Sequence, residues 1–209
     1  MSTAVDPEDL CGATQTGAVF DGAVWAGAEI DELELDSSSL RNLRATAGRW
    51  DRCTFIECRL MGADLAALAT RDVGLVRVRL DQARLTGSSW VRSRWREVHL
   101  AGGVADELSA HSATWTDVTL TGTSLRKADF TGAQLQRVRF EACDLRGARF
   151  LGVSAREVSF TQCHLDGVQG SADLRGATMA WTDAVSLLPS MAQELGITIE
   201  QAQAEGGRS

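Results

Sequence analysis

The chain has 209 residues, 44% hydrophobic and 23% charged, with 21 basic against 28 acidic residues and a formal net charge of −7. That composition suits one folded unit and excludes an intrinsically disordered chain. No window approaches about eighteen uninterrupted apolar residues, so no membrane-spanning helix is expected.

Met1 to Cys11 carries Asp6, Glu8 and Asp9 where a secretory leader would carry a basic run and an apolar core. With five cysteines and no CxxC pair, the expectation is a cytoplasmic protein with reduced thiols. Residues 1–17 lack the pattern that follows and are read as an N-terminal cover.

From Phe20 to Leu165 a frame of large apolar residues recurs every five positions. Of these thirty positions twenty-five are Leu, Ile, Phe or Trp, including all six phenylalanines and five of the six tryptophans. Two residues earlier runs a frame of small or β-branched residues, such as Ala18, Cys53, Val78, Ala113 and Val158. The remaining frames hold nearly all the charge. This period fits neither a helix nor a plain strand. It fits a short strand with two inward residues followed by a corner, where glycines such as Gly22, Gly62 and Gly132 accept positive φ.

Segments such as Ala63-Asp64-Leu65, Ala128-Asp129-Phe130-Thr131-Gly132 and Ala172-Asp173-Leu174-Arg175-Gly176 resemble the A(D/N)LxG signature of the pentapeptide-repeat family. The resemblance covers about 165 residues and implies an all-β fold, a right-handed quadrilateral β-helix with twenty residues per coil. Stacking by twenty gives columns that test this. Phe20, Leu40, Leu60, Leu80, Leu100, Leu120, Phe140 and Phe160 form one, while Trp90 and Trp95 are followed by Ala110 and Trp115. Such volume compensation is what a close-packed interior requires. About 7.5 coils, roughly 36 Å, are expected. After Leu165 the frame slips by one, resuming at Leu174 and Met179, so an irregular corner is predicted near Gly167 to Ser171.

The repeat therefore spans 18–180. Residues 181–199 form a C-terminal cap, with a helix predicted over Pro189–Leu195, Gly196 past its end, and Ile197 and Ile199 alternating as a small strand. Residues 200–209 read as a flexible tail. In the family such an apolar module often mediates a two-fold dimer, which makes Trp181, Leu187, Leu188, Met191 and Leu195 the candidate interface. The alternative is that they only plug their own solenoid.

Charge is uneven. Residues 1–40 carry nine acids and no base, whereas 41–100 carry twelve arginines against six acids. Two candidate interaction surfaces follow: an acidic first coil (Asp21, Glu29, Asp31, Glu32, Glu34, Asp36) and a basic belt (Arg59, Arg79, Arg84, Arg94, Arg96). A plain solvated surface is the alternative. With Phe and Trp pointing inward, few aromatics remain for stacking on bases, and direct nucleic-acid binding is not expected.

No catalytic residues, cofactor or metal are expected. His99, His111 and His164 sit in exterior frames of separate coils, out of register with Ser88 and Ser93. Cys143 and Cys163 stack within disulfide reach, the alternative being small apolar thiols filling inward slots. The resemblance extends to quinolone-resistance members that bind DNA gyrase as duplex mimics, and the loop-free frame is closest in kind to the mycobacterial type. It implies a non-enzymatic protein-binding module whose partner is DNA gyrase. A generic cytosolic interaction scaffold is the competing expectation.

Overall fold

The computed structural model describes residues 6–199. Each five-residue unit contributes one rung to one of four faces, and each rung pairs in parallel with the residue twenty positions on. The first face is an eight-stranded sheet that runs from Thr14–Thr16 to Ser154–Arg156. The second face carries the column Val19, Ser39, Arg59 and Arg79 and continues as a six-stranded sheet to Thr178–Met179. The third face is built from single bridges, Val24 to Arg44 and onward to His164. The fourth begins as a four-stranded sheet at Glu29–Asp31 and ends in bridges reaching Gln169. The result is a four-sided β-solenoid of about eight turns, roughly 34 Å from first rung to last on the first face.

Hydrogen bonding explains why three residues suffice for a rung. The N–H of each central residue donates to the next rung, as in Phe20 to Ser39 O (2.8 Å) and Trp25 to Arg44 O (2.7 Å). The preceding residue donates back to the rung before, as in Ser39 to Ala18 O (2.9 Å). Both inward frames are buried. Trp50, Phe55, Trp90, Trp95, Trp115 and Phe140 are each at most 1% exposed. Trp95 stacks on Trp115 at 4.5 Å, and Phe140 on Phe160 at 5.0 Å. Trp90 meets Trp95 edge-on at 5.2 Å, and the space beneath is filled by Ala105 and Ala110. The expected volume compensation is present.

The chain turns at the residue two after each central one, with φ positive. Glycine accepts this at Gly22 (73°) and Gly132 (67°), but twenty such positions from Glu32 to Gln162 are not glycine, at φ of 50–58°. A left-handed non-glycine residue costs about 1–2 kcal/mol. The ladder and the buried core hold these corners in place.

The frame slip is where the sequence places it. Phe160 pairs with Met179 and Ser159 with Thr178, nineteen residues on. A 3-10 turn, Ser171–Leu174, replaces the strand of the first face. Gly170 (φ 79°) passes so close to the previous rung that a Cβ would lie 2.6 Å from the Leu151 nitrogen.

The cap helix corrects the sequence reading. Helix α1 spans Trp181–Glu194, so it starts eight residues before Pro189, which lies inside it. Proline removes one helical donor. The helix persists because Leu187 (2% exposed), Ser190 and Ala192 are buried along it. It ends as expected at Gly196 (φ 71°), with Ile197 N–H donating to Ala192 O at 2.7 Å. Ile197 and Ile199 form no strand and are exposed. At the other end, the rung Thr14–Thr16 and the 3-10 turn Pro7–Leu10, with Leu10 buried, lie within the stretch read as a cover. The predicted tail, 200–209, lies outside the described residues.

Candidate interaction surfaces

Every outward side chain has a neighbour twenty residues away, and this decides which charges are free. Arg52 pairs with Glu32 (3.0 Å) and also with Asp31. Arg71 pairs with Asp51 (2.8 Å), Arg77 with Glu57 (2.9 Å), Arg84 with Asp64 (3.1 Å) and Arg92 with Asp72 (3.5 Å). Further along, Arg137 meets Asp117 at 2.5 Å. The hydrogen bond from Arg137 holds the Asp117 carboxyl below its usual range. In each pair the arginine lies one rung after its carboxylate. These are solvated pairs and add little to stability. Their consequence is electrostatic: they cancel much of the charge contrast that the linear sequence suggests.

Of the acidic set, Asp31 and Glu32 are thus engaged by Arg52. Asp21 accepts from Ser39 Oγ (2.6 Å) and Arg41 N–H (2.9 Å), and the Ser39 bond first of all lowers its pKa. Asp36 accepts from Ser37 Oγ at 2.9 Å. Glu29, Glu34 and Asp36 make no ion pair among the described residues. Glu29 begins the fourth face, and Glu34 and Asp36 lie on the second rung of the first.

The five arginines of the belt do not form a ring. Arg84 sits on the third face, neutralised by Asp64. Arg59 and Arg79 are consecutive rungs of the second face. Arg94 and Arg96 flank the inward Trp95 on the first face, Arg96 lying 3.8 Å from Glu97. Arg59, Arg79 and Arg96 therefore border the corner between the first and second faces, and Arg94 stands at the other edge of the first face.

At the C-terminal end α1 presents an apolar stripe. Trp181 is 81% exposed, and Val185, Leu188, Met191 and Leu195 are exposed with it. Leu187 is a correction: buried at 2%, it faces the solenoid as a plug and is no part of the stripe. Val185 escaped the sequence reading because the helix was started at Pro189. Its i+4 spacing from Trp181 was the available signal. Glu194 also escaped it. Its carboxylate accepts from the N–H groups of Gly170 (2.6 Å), Ser171 (3.1 Å) and Ala172 (3.3 Å) and from Ser171 Oγ (2.6 Å), tying α1 to the irregular corner. Partial burial raises its pKa, but these bonds outweigh that and hold it below the ordinary value.

The histidines stay apart: His99 is on the second face, His111 on the fourth and His164 on the third. Ser88 and Ser93 are buried, their hydroxyls donating to Leu85 O and Trp90 O at 2.7 Å. All five cysteines are free thiols. Cys143 donates to Leu120 O and Cys163 to Phe140 O, and burial raises the Cys53 pKa to about 12. Among the described residues no group of His, Cys, Asp and Glu is arranged to hold a metal, and no helix is long and apolar enough to cross a membrane.

Four faces, a five-residue rung and two inward frames define a quadrilateral β-solenoid of pentapeptide units. Residues 110–141 and 133–168 match the family model described as pentapeptide repeats, and the same frame runs on either side of them. Over those residues the chain is built of pentapeptide repeats. A comparison with the curated proteins finds no match. Among solved structures, it is similar to a trypsin-treated variant of QnrB1, a plasmid-mediated fluoroquinolone resistance protein, at 18% identity and a TM-score of 0.47, covering 94% of each chain. It is also similar to HetL, a pentapeptide-repeat protein involved in heterocyst differentiation regulation from the cyanobacterium Nostoc, at 18% identity and a TM-score of 0.42, covering 81% of this chain and 88% of that one.

Proposed function

We propose that this chain is a non-enzymatic protein-binding rod that pairs tail to tail through α1, with DNA gyrase as its partner. The observation that carries the binding role is the stripe Trp181, Val185, Leu188, Met191 and Leu195, exposed on one side of a helix whose other side plugs the solenoid. Exposed apolar surface of this kind marks contact with another protein. Joining two rods at these ends would leave both acidic first coils at the outer tips. There Glu34 and Asp36 face Thr54 and Ile56 on the next rung, and Glu29 lies opposite Arg49 without an ion pair among the described residues.

Gyrase follows from the resemblance of the repeat to quinolone-resistance members, with the carboxylate tips standing in for duplex phosphates. The test is a gyrase supercoiling assay with and without a fluoroquinolone, together with capture of each gyrase subunit. Inhibition or drug protection that is lost in Glu29→Lys plus Glu34→Lys would support the reading. No inhibition, no protection and no capture would sink it.

A second reading, a scaffold for some other protein, is favoured by the regular pairing of arginines with carboxylates one rung away. That pairing leaves no continuous acidic stripe along the described rod.

A further inference from the structure

The second face departs from the pairing rule. On the second face the column Ser39, Arg59, Arg79, His99 contains no carboxylate. Arg59 and Arg79 are direct rung partners, and His99 is the next rung after Arg79. All three are exposed. Two guanidinium stems rooted about 4.8 Å apart repel, and like charges directly opposite in a sheet are destabilising. Around the corner Arg94 and Arg96 also lack acidic rung partners. Arg94 lies between Gly74 and Thr114, and Arg96 between Val76 and Thr116. The carboxylates nearby in sequence are Glu57, which Arg77 already holds, Asp81, and Glu97, which lies 3.8 Å from Arg96.

This corner is not purely ionic. Met61 is 47% exposed beside Arg59, and Ile56 and Val76 are half-exposed on the adjoining face. Apolar side chains among arginines that lack acidic rung partners suit a peptide better than a bare phosphate chain. No exposed aromatic lies here on which a base would stack; Trp181 is at the far end.

We infer that the surface around the corner bearing Arg59, Arg79 and Arg96, extending across the first face to Arg94, docks an acidic segment of a partner protein in which apolar residues alternate with carboxylates. The inference rests on the reading of the rod as a protein-binding module and supplies a third contact, distinct from the acidic tips and the α1 stripe. The acidic segment would relieve the Arg59–Arg79 repulsion that the free protein tolerates.

The probe is a synthetic peptide of alternating Glu and Leu, titrated into the full chain at fixed ionic strength. Inorganic tripolyphosphate and a short DNA duplex serve as comparison ligands. The imidazole signals report the place without any mutation: His99 should shift on peptide binding, while His111 and His164 on other faces should not. Arg59→Gln plus Arg79→Gln should weaken the peptide about tenfold or more, as expected for losing two charge contacts. The same double change should leave melting unchanged or raised, because it removes a repulsion. Arg84→Gln plus Arg92→Gln, whose charges are already paired, should leave binding unchanged. A static His99, equal loss in both double variants, or tighter binding of tripolyphosphate or the duplex would overturn the proposal. The titration contains no topoisomerase, so its failure and a failure in the supercoiling assay are separate results.

Discussion

Ser88 is a small residue with an outsized share of the core's polar chemistry. Its Oγ donates to Leu85 O and accepts from Trp90 Nε1 at 3.0 Å, in a site with no solvent access. The indole nitrogens of Trp25, Trp50, Trp95 and Trp115 have no partner at all. Ser88→Ala would leave a fifth indole without a partner and should cost about 1–3 kcal/mol, read as a lowered denaturation midpoint. Ser93, whose hydroxyl makes only a bond to Trp90 O, should cost less on the same change. The corners offer the opposite sign. Ala47 and Ala67 are exposed at φ 53°. Ala67→Gly removes left-handed strain and should stabilise by about 0.5–1 kcal/mol, even though glycine elsewhere weakens a chain. If the midpoint falls instead, corner strain is not what limits this solenoid.

At the scale of elements, the repeat was readable and the cap was not, for a physical reason. A rung is specified locally: Phe140 is inward because it lies in the frame, whatever the partner rung contains. The same logic located the slip before Met179. Helix α1 depends on distant contacts instead. Nothing local to Trp181 announces a helix start, since Ala180 provides no side-chain cap, and Pro189 suggests a start where there is none. What holds α1 is Leu187 under the solenoid end and Glu194 in the N–H groups of 170–172, both long-range. The charge surfaces were less legible for a related reason: a tally along the sequence ignores that Arg84 and Asp64 are neighbours. Adding twenty to each acidic position would have found most of the pairs. Glu194 has a depressed pKa, so its contribution is present above the unfolded carboxylate pKa and is lost as pH falls through the lower folded value. Amide exchange along α1 should therefore quicken in acid before the solenoid core opens. Glu194→Gln should show the quickened exchange already at neutral pH, and exchange indifferent to both would disprove the anchor.

For the whole molecule, stability is carried by nearest-neighbour rungs and the weak points are the ends. The α1 stripe and the plug lie on opposite sides of one helix, so two substitutions one residue apart should separate their roles. Leu188→Asp should halve the mass seen by analytical ultracentrifugation and leave the circular dichroism unchanged. Leu187→Asp should instead unseat α1 and lower the melting temperature. A monomer in the unaltered chain would remove the tail-to-tail arrangement.

The four-sided cross-section also works as an indexing gear. Removing twenty residues from the middle of the solenoid shortens the stack by one tooth and leaves every face aligned. Removing five keeps the inward frames intact but advances everything downstream by a quarter turn. Asp64 would then face a different column from Arg84, and the corner bearing Arg59 would look a new way relative to α1. Small in-frame deletions are thus a means by which such a chain re-aims one end against the other without repacking its core.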